Sequence, residues 1–305
     1  MSARLRILNF VLKWTTRPIL SRLSSGNPAR LRPMLDRPMG WMFRVGRGTE
    51  ITEDTMPDDG VSVLKITNGA SQNGVLLYLH GGAYVFGSAQ THKRIVAHMV
   101  RLAGMTGISV NYRLAPEHKF PAALDDAISV YQEILTRGTS ADKIIIAGDS
   151  AGGGLALALL GRILAEGLPK PAGLFAFSPW TDLTLSGESM ETNDRSEYLL
   201  PPKRIREARD FYCPEGQENP QASPLFADFR NAPPVLLFVG STEVLRDDSI
   251  RIAEQMKQSG VDVQLNIYEN TPHVWPIFHG KLLEADQAMS EVAIFIRSIL
   301  KPVAT

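Results

Sequence analysis

A serine flanked by glycines, Gly148-Asp149-Ser150-Ala151-Gly152, follows the apolar run Ile144-Ile145-Ile146-Ala147 and precedes an Ala/Gly/Leu-rich stretch reaching Leu164. A serine hydroxyl attacks a carbonyl carbon efficiently only when a neighbouring base takes its proton and donors receive the oxyanion that forms. A buried strand, a sharp turn and a helix are the setting in which Gly-x-Ser-x-Gly works as a nucleophile elbow. The turn lifts the Ser150 hydroxyl above the sheet, and glycines at 148 and 152 let the helix pack back on the strand. The N–H of Ala151, at the start of that helix, is then expected to face the oxyanion. A second donor set is expected at His80-Gly81-Gly82-Ala83, where two glycines leave the amides of Gly81 and Gly82 uncovered. His80 itself reads as a brace for that loop.

Base and acid follow from chain order. The order serine, acid, histidine that accompanies such an elbow leaves only His273 and His279 of the six histidines. His273, in Glu-Asn-Thr-Pro-His-Val-Trp-Pro, sits on an expected turn and is the candidate base; His279 reads as surface or packing. The acid belongs on the loop after the run Val235 to Gly240, which offers Glu243, Asp247 and Asp248. Glu243 comes first off the strand and is expected to accept the Nδ1–H of His273, with Asp247 as the alternative. Asp182, in Ser-Pro-Trp-Thr-Asp, reads as a structural turn. Asp149 is expected either to anchor the elbow or to position substrate, and Tyr84, Phe86, Trp180, Tyr198 and Phe211 are candidate pocket walls.

The elements that must carry these residues are legible as short apolar runs alternating with helical periodicity, the pattern of an α/β fold with a mostly parallel sheet. Val75 to Leu79, Ile108 to Tyr112, Ile144 to Ala147, Leu174 to Phe177 and Val235 to Val239 read as central strands covered on both faces. Val261 to Ile267 alternates apolar with polar residues, so it should be an edge strand, last in order. Helical spacing is expected around Ile95 to Val100, Ala123 to Ile134 and Leu155 to Leu164, and less strongly over Ile250 to Gln258. Two segments break the alternation: residues 1–48, and Leu185 to Cys213, where Pro201-Pro202 opens an expected helix to Tyr212.

Bulk properties narrow the partners. Thirty-two basic residues balance 32 acidic ones, so no global charge argues for nucleic acid. One cysteine, Cys213, excludes an internal disulfide and a cysteine-cluster metal site. The first residues, MSARLRILNFVLKWTTRPIL, hold an apolar run too short for a signal peptide or a membrane span, and a cytoplasmic protein without stable membrane insertion is expected. Leu5, Leu8 and Leu12, with Val11 and Trp14, form an apolar stripe expected to pack on the protein itself.

Five blocks, HGGAY (80–84), NYRLAPEHKFPAALDD (111–126), GDSAGGG (148–154), SPWTDLTLSG (178–187) and TPHVW (271–275), resemble in sequence and order the hormone-sensitive-lipase-like family of bacterial carboxylesterases. The resemblance implies an α/β-hydrolase fold with helices on both faces of the sheet and a helical cap. That cap would be made from residues 1–48 and an insertion at 185–213, with the core in 49–184 and 214–305. It further implies hydrolysis of short-acyl esters of small molecules, no cofactor and no metal, and a homodimer formed through the last strand and helix. Many members carry Asp-Pro-Leu-x-Asp where this chain has Glu243-Val244-Leu245-Arg246-Asp247, which aligns Glu243 with the acid and raises the question of whether Asp247 shares its work. Other classes on the same fold are a small-molecule receptor, which would lose the histidine, and a membrane-surface lipase using the N-terminal helix.

Overall fold

The computed structural model describes residues 1–22, 26, 28–33, 45–56, 60–69 and 73–300. Part of the expected N-terminal cap segment, residues 23–25, 27 and 34–44, lies outside the described residues. Eight strands, β1 (Glu50–Met56), β2 (Val61–Thr67), β3 (Val75–Leu79), β4 (Thr106–Val110), β5 (Ile144–Asp149), β6 (Gly173–Phe177), β7 (Val235–Gly240) and β8 (Val263–Tyr268), form one sheet in the order β1-β2-β4-β3-β5-β6-β7-β8. β2 runs antiparallel to β1 and β4, and β4 to β8 are parallel. Every residue of β4, β5, β6 and β7 is buried, because helices cover both faces of a parallel sheet and leave no side for polar residues.

The pleat divides the strands between two cores. Leu77 and Leu79 of β3 pack with the helices Ala122–Thr136, Ala151–Ala165 and Arg246–Gln258, while their neighbours Leu76 and Tyr78 pack with Ala89–Ala103 and Leu283–Ile299. β8 is the edge strand expected from its place last in order, but its alternation fails at the end, where Ile267 is 44% exposed. The run read as Ile108 to Tyr112 is displaced. β4 pairs Thr106 to Val110 with Val75 to Leu79, and Asn111 just beyond it keeps its N–H on the Ser62 carbonyl at 2.9 Å while its Oδ1 accepts the Ala89 N–H at 2.8 Å. Helix Arg246–Gln258 begins four residues before the expected Ile250, with Asp247 and Asp248 in its first turn, where carboxylates suit the helix dipole.

The two irregular segments meet each other. Arg17 forms an ion pair with Asp194, Lys13 donates to the Arg195 carbonyl at 2.8 Å, and Arg204 donates to the carbonyls of Leu20 and Ser21 at 2.9 Å. Arg32 reaches the carbonyls of Val85 and Ala115 and pairs with Glu117. The insertion holds the expected helix, Pro202–Tyr212, with proline in its first turn. The N-terminal stripe corrects its expectation. Leu5 and Leu12 are buried and Leu8 is half-buried, but Val11 and Trp14 stand 44% and 66% exposed. Trp14 lies with exposed Phe10 on the outer face, and Asn9 shares the inner face with Leu5 instead. Among the described residues no helix is long and apolar enough to cross a membrane.

Candidate active site

Ser150 closes the turn between β5 and the helix Ala151–Ala165 with φ +54° and ψ −125°, a conformation an L-residue adopts only where its surroundings enforce it. Its N–H is held by the Phe177 carbonyl at 2.8 Å and its own carbonyl accepts from Trp180 N–H at 3.0 Å. A Cβ at Gly152 would run into the carbonyl oxygens of Leu79 and His80, so a glycine there is what lets the helix start this close to β3.

Three side chains far apart in sequence join in one chain of hydrogen bonds. Ser150 Oγ lies 2.8 Å from His273 Nε2, and His273 Nδ1 lies 2.6 Å from Glu243 Oε2. Glu243 is fully buried, and its second oxygen, Oε1, accepts from Gly240 N–H at 2.6 Å and Ser178 Oγ at 2.8 Å. Ser178 Oγ in turn accepts the Val274 N–H at 3.1 Å, which fixes the base loop to the acid. The longer glutamate is thus held at both oxygens. Asp247, the alternative acid, is committed elsewhere: Oδ2 accepts the Ser189 N–H at 2.8 Å and Oδ1 pairs with Arg246. Asp182 is the expected turn, accepting from Thr184 and Ser186 and pairing with Arg251. Asp248, whose carboxyl burial pushes up to about 7, accepts the N–H groups of Thr181 and Asp182.

Electrostatics favour a charged His273 more than an exposed imidazole would. Burial works to lower its pKa, but the Glu243 charge and hydrogen bond, with Glu197 and Asp149 adding, carry it above the ordinary value. The brace His80 is different: burial takes it down to about 3, and its neutral ring donates through Nδ1 to the Gly81 carbonyl at 2.8 Å while stacking on Tyr112.

One of the expected donors already has an acceptor. Gly81 N–H is already spent on Asp149 Oδ1 at 3.0 Å, and a Cβ at Gly81 would collide with that carboxylate. Among the described residues the amides of Gly82, Ala83 and Ala151 have no acceptor, as do those of Tyr84, Gly152 and Gly153 beside them. Asp149 is consequently not a pocket wall. It is buried, with Tyr78 Oη at 2.8 Å on Oδ1 and His92 Nε2 at 3.4 Å from Oδ2. Burial would raise its pKa, yet His92 and the Tyr78 hydrogen bond hold it below the usual carboxylate range. Tyr84 and Trp180 are also corrected. Both are core residues, Tyr84 stacked on Tyr212 at 3.7 Å and Trp180 donating to the Asp182 carbonyl, because the loop and the helix Pro202–Tyr212 close over them. Phe86, Tyr198 and Phe211 stay half-buried. His279 is packing, stacked on His98 at 4.3 Å.

Sequence reasoning missed Ser178, His92, Asn193 and Glu197. Glu197 is fully buried and accepts from Leu199 N–H and Val244 N–H at 2.8 and 3.0 Å, while Asn193 donates to the Glu243 carbonyl at 2.8 Å, so the insertion clamps the acid loop. Burial first, and then the Glu243 charge, raise the Glu197 pKa. Nothing in its polar local sequence marks it. Among the described residues no group of three or more His, Cys, Asp or Glu is placed to hold a metal ion.

Comparison with known proteins places the chain in a family. A family model for the alpha/beta hydrolase fold matches residues 76–277. The chain is 35% identical over 274 residues to an esterase of Acinetobacter venetianus RAG-1, covering 89% of each chain. It is 37% identical over 231 residues to an acetyl-hydrolase of Streptomyces hygroscopicus, covering 75% of this chain and 77% of the relative. The crystal structure of an esterase from the bacterial hormone-sensitive lipase family superposes with a TM-score of 0.90 at 32% identity, covering 99% of both chains. With its sheet, its strained serine turn and these relatives, the chain belongs to the hormone-sensitive-lipase-like carboxylesterases of the alpha/beta hydrolase fold.

Proposed function

We propose that Ser150, His273 and Glu243 are the catalytic triad of this esterase and that it acts on short-acyl esters of small alcohols. The observation that carries the reading is the unbroken hydrogen-bond chain from Ser150 Oγ through His273 to a buried Glu243. Ser150 Oγ attacks the ester carbonyl carbon while His273 Nε2 takes its proton, and the carbonyl oxygen becomes an oxyanion received by the N–H groups of Gly82, Ala83 and Ala151. Collapse of this intermediate breaks the bond to the alcohol oxygen, which leaves with the proton from His273. Water then repeats the sequence on the acyl-enzyme, giving the carboxylic acid and free Ser150. Glu243 keeps the Nδ1–H tautomer and stabilises the imidazolium without taking the proton.

Residues 1–33 and the insertion at 185–213 bridge to each other through Arg17, Lys13 and Arg204, which supports a cap over the sheet's carboxyl end. Half-buried Phe86, Tyr198 and Phe211 suit a narrow acyl site, and the acetyl-hydrolase relative points the same way. A receptor reading has less support, since a receptor would not need His273 and Glu243 within hydrogen-bond distance of Ser150 and of each other. The unpaired edge of β8 is the surface a homodimer would use.

The test is a ladder of p-nitrophenyl esters from acetate to palmitate together with a p-nitrophenyl phosphonate. Activity should peak at the short end, and the phosphonate should release one equivalent of p-nitrophenolate with its adduct on Ser150. A preference for palmitate would remove the short-acyl assignment, and an adduct elsewhere would remove the triad. The pH profile gives a separate check. The base must be neutral to act, so kcat/KM of the free enzyme falls as pH drops through the His273 pKa. Because that pKa is raised, half of the plateau should be lost above the ordinary imidazole value of about 6.5 rather than below it.

A further inference from the structure

Six of the ten large apolar side chains exposed among the described residues fall within the first nineteen: Met1, Ile7, Phe10, Val11, Trp14 and Ile19, from 44% to 66% exposed. The other four, Phe226, Ile267, Leu283 and Ile294, lie elsewhere in the sequence, and Leu283 directly follows a groove residue. The helix Ala3–Val11 already has a seated face. Leu5 is fully buried, and Asn9 donates to the Asn270 carbonyl at 2.7 Å, so the exposed residues form a second apolar face that the fold does not use. A π-helical turn, Leu12–Thr16, continues the helix and carries Trp14 beside Phe10, with ring centroids 6.5 Å apart.

A groove of about 320 Å³ adjoins this face, lined by Ile7, Leu8 and Val11 of the helix against Phe278 and Leu282, and its only charged residues are Arg4 and Lys281. Within the N-terminal segment charge points one way. Residues 1–22 contain Arg4, Arg6, Lys13, Arg17 and Arg22 and no acidic residue. Arg17 is neutralised by Asp194, and the nearby carboxylates Glu284 and Asp286 are engaged with the Ser2 and Gly280 N–H groups. Arg4, Arg6, Lys13 and Arg22 make no ion pair among the described residues.

We propose that this face docks the enzyme reversibly on an anionic lipid surface, with Phe10, Trp14, Ile7 and Val11 in the interfacial layer and the unpaired cations against lipid phosphates. Exposed aromatic and aliphatic side chains ringed by Lys and Arg are what an in-plane interfacial helix needs, since apolar burial and attraction to anionic headgroups add. A second copy fits less well, because a two-fold contact through this face sets each cationic rim against its twin. Docking needs neither Ser150 nor His273, so it stands apart from the triad. It does bear on access, because Asn9 ties the docking helix to the loop that carries His273 three residues beyond Asn270.

Flotation of the full chain with vesicles of phosphatidylcholine alone, and of phosphatidylcholine with phosphatidylglycerol, tests this. The protein should float with the anionic vesicles and stay behind with the neutral ones. Phe10→Ser/Trp14→Ser and, separately, Arg4→Glu/Arg6→Glu should each reduce the bound fraction at least about tenfold, with high salt acting like the charge reversal. All four side chains are exposed, so activity on a soluble ester should be unchanged and shows that the variants fold. Absence of flotation with anionic vesicles overturns the proposal, as does flotation that survives the Phe10/Trp14 variant. A dimer that Phe10→Ser/Trp14→Ser dissociates, without vesicle binding, assigns the face to a second copy. Binding of polyglutamate in place of vesicles assigns it to an acidic polypeptide, and either result also overturns the lipid surface.

Discussion

Ser150→Ala is expected to lower kcat for an activated short-chain ester by about 10⁶-fold and Glu243→Ala by about 10⁴-fold, while Asp247→Asn stays within about threefold of the native protein. The first change removes the only atom in the hydrogen-bond chain able to form the acyl-enzyme. The second leaves His273 Nδ1 without its 2.6 Å partner, so both the tautomer and the stabilisation of the imidazolium are lost. Asp247 tests the competing acid directly, since its carboxylate serves Ser189 and Arg246 and an asparagine oxygen still accepts the Ser189 N–H. Glu243→Asp adds geometry to the comparison. An aspartate is one methylene shorter and should not reach both Gly240 N–H and His273, so it should fall between wild type and alanine. Thermal melts and circular dichroism establish that each variant is folded before rates are compared. Large loss in Asp247→Asn with little in Glu243→Ala would move the acid to Asp247.

How much of this was legible depended on whether the signal was local. β5, the elbow and the following helix are contiguous, so apolar run, glycine and serine announce them together, and the parallel core strands declare themselves because burial on both faces leaves no polar residue inside them. Glu243 and His273 were reachable through chain order and the position of each on a loop after a strand. β1 was not, because Glu-Ile-Thr-Glu-Asp-Thr-Met carries no apolar alternation and is held as a strand by its pairing with β2. The same limit hid Ser178 and Glu197. Each matters through a partner some fifty or more residues away, Ser178 through Glu243 and Val274, Glu197 through Val244, and a lone serine or glutamate looks the same in sequence whether or not it has one. A related limit applies to Gly81: two small residues in a row suggest uncovered amides, but side-chain size cannot show that the Gly81 amide is taken by a carboxylate from another strand.

That carboxylate leads to the second large effect. Asp149→Ala should lower kcat by about 10²- to 10³-fold with KM little changed, the loss that follows removal of about one oxyanion donor. Asp149 immediately precedes the nucleophile, and its Oδ1 holds both Tyr78 Oη and Gly81 N–H, so one side chain sets the register between the elbow and the loop carrying Gly82 and Ala83. Without it the donors remain in the chain but are no longer aimed, which weakens the transition state more than substrate binding. Some stability should go too, about 1–3 kcal/mol, because Gly81 N–H and the Tyr78 hydroxyl would be left buried without acceptors. A merely structural role predicts loss of stability without a selective fall in kcat, and Asp149→Asn, whose amide oxygen still accepts from Gly81, should recover part of the rate. The decisive observation is a crystal structure of the phosphonate adduct on Ser150. Its phosphoryl oxygen should lie about 2.7–3.1 Å from the nitrogens of Gly82, Ala83 and Ala151, with Gly81 N–H still on Asp149. If Gly81 N–H has instead turned onto the phosphoryl oxygen, Asp149 is a latch released during the reaction, and Gly81 returns to the hole that its glycine-rich sequence implied.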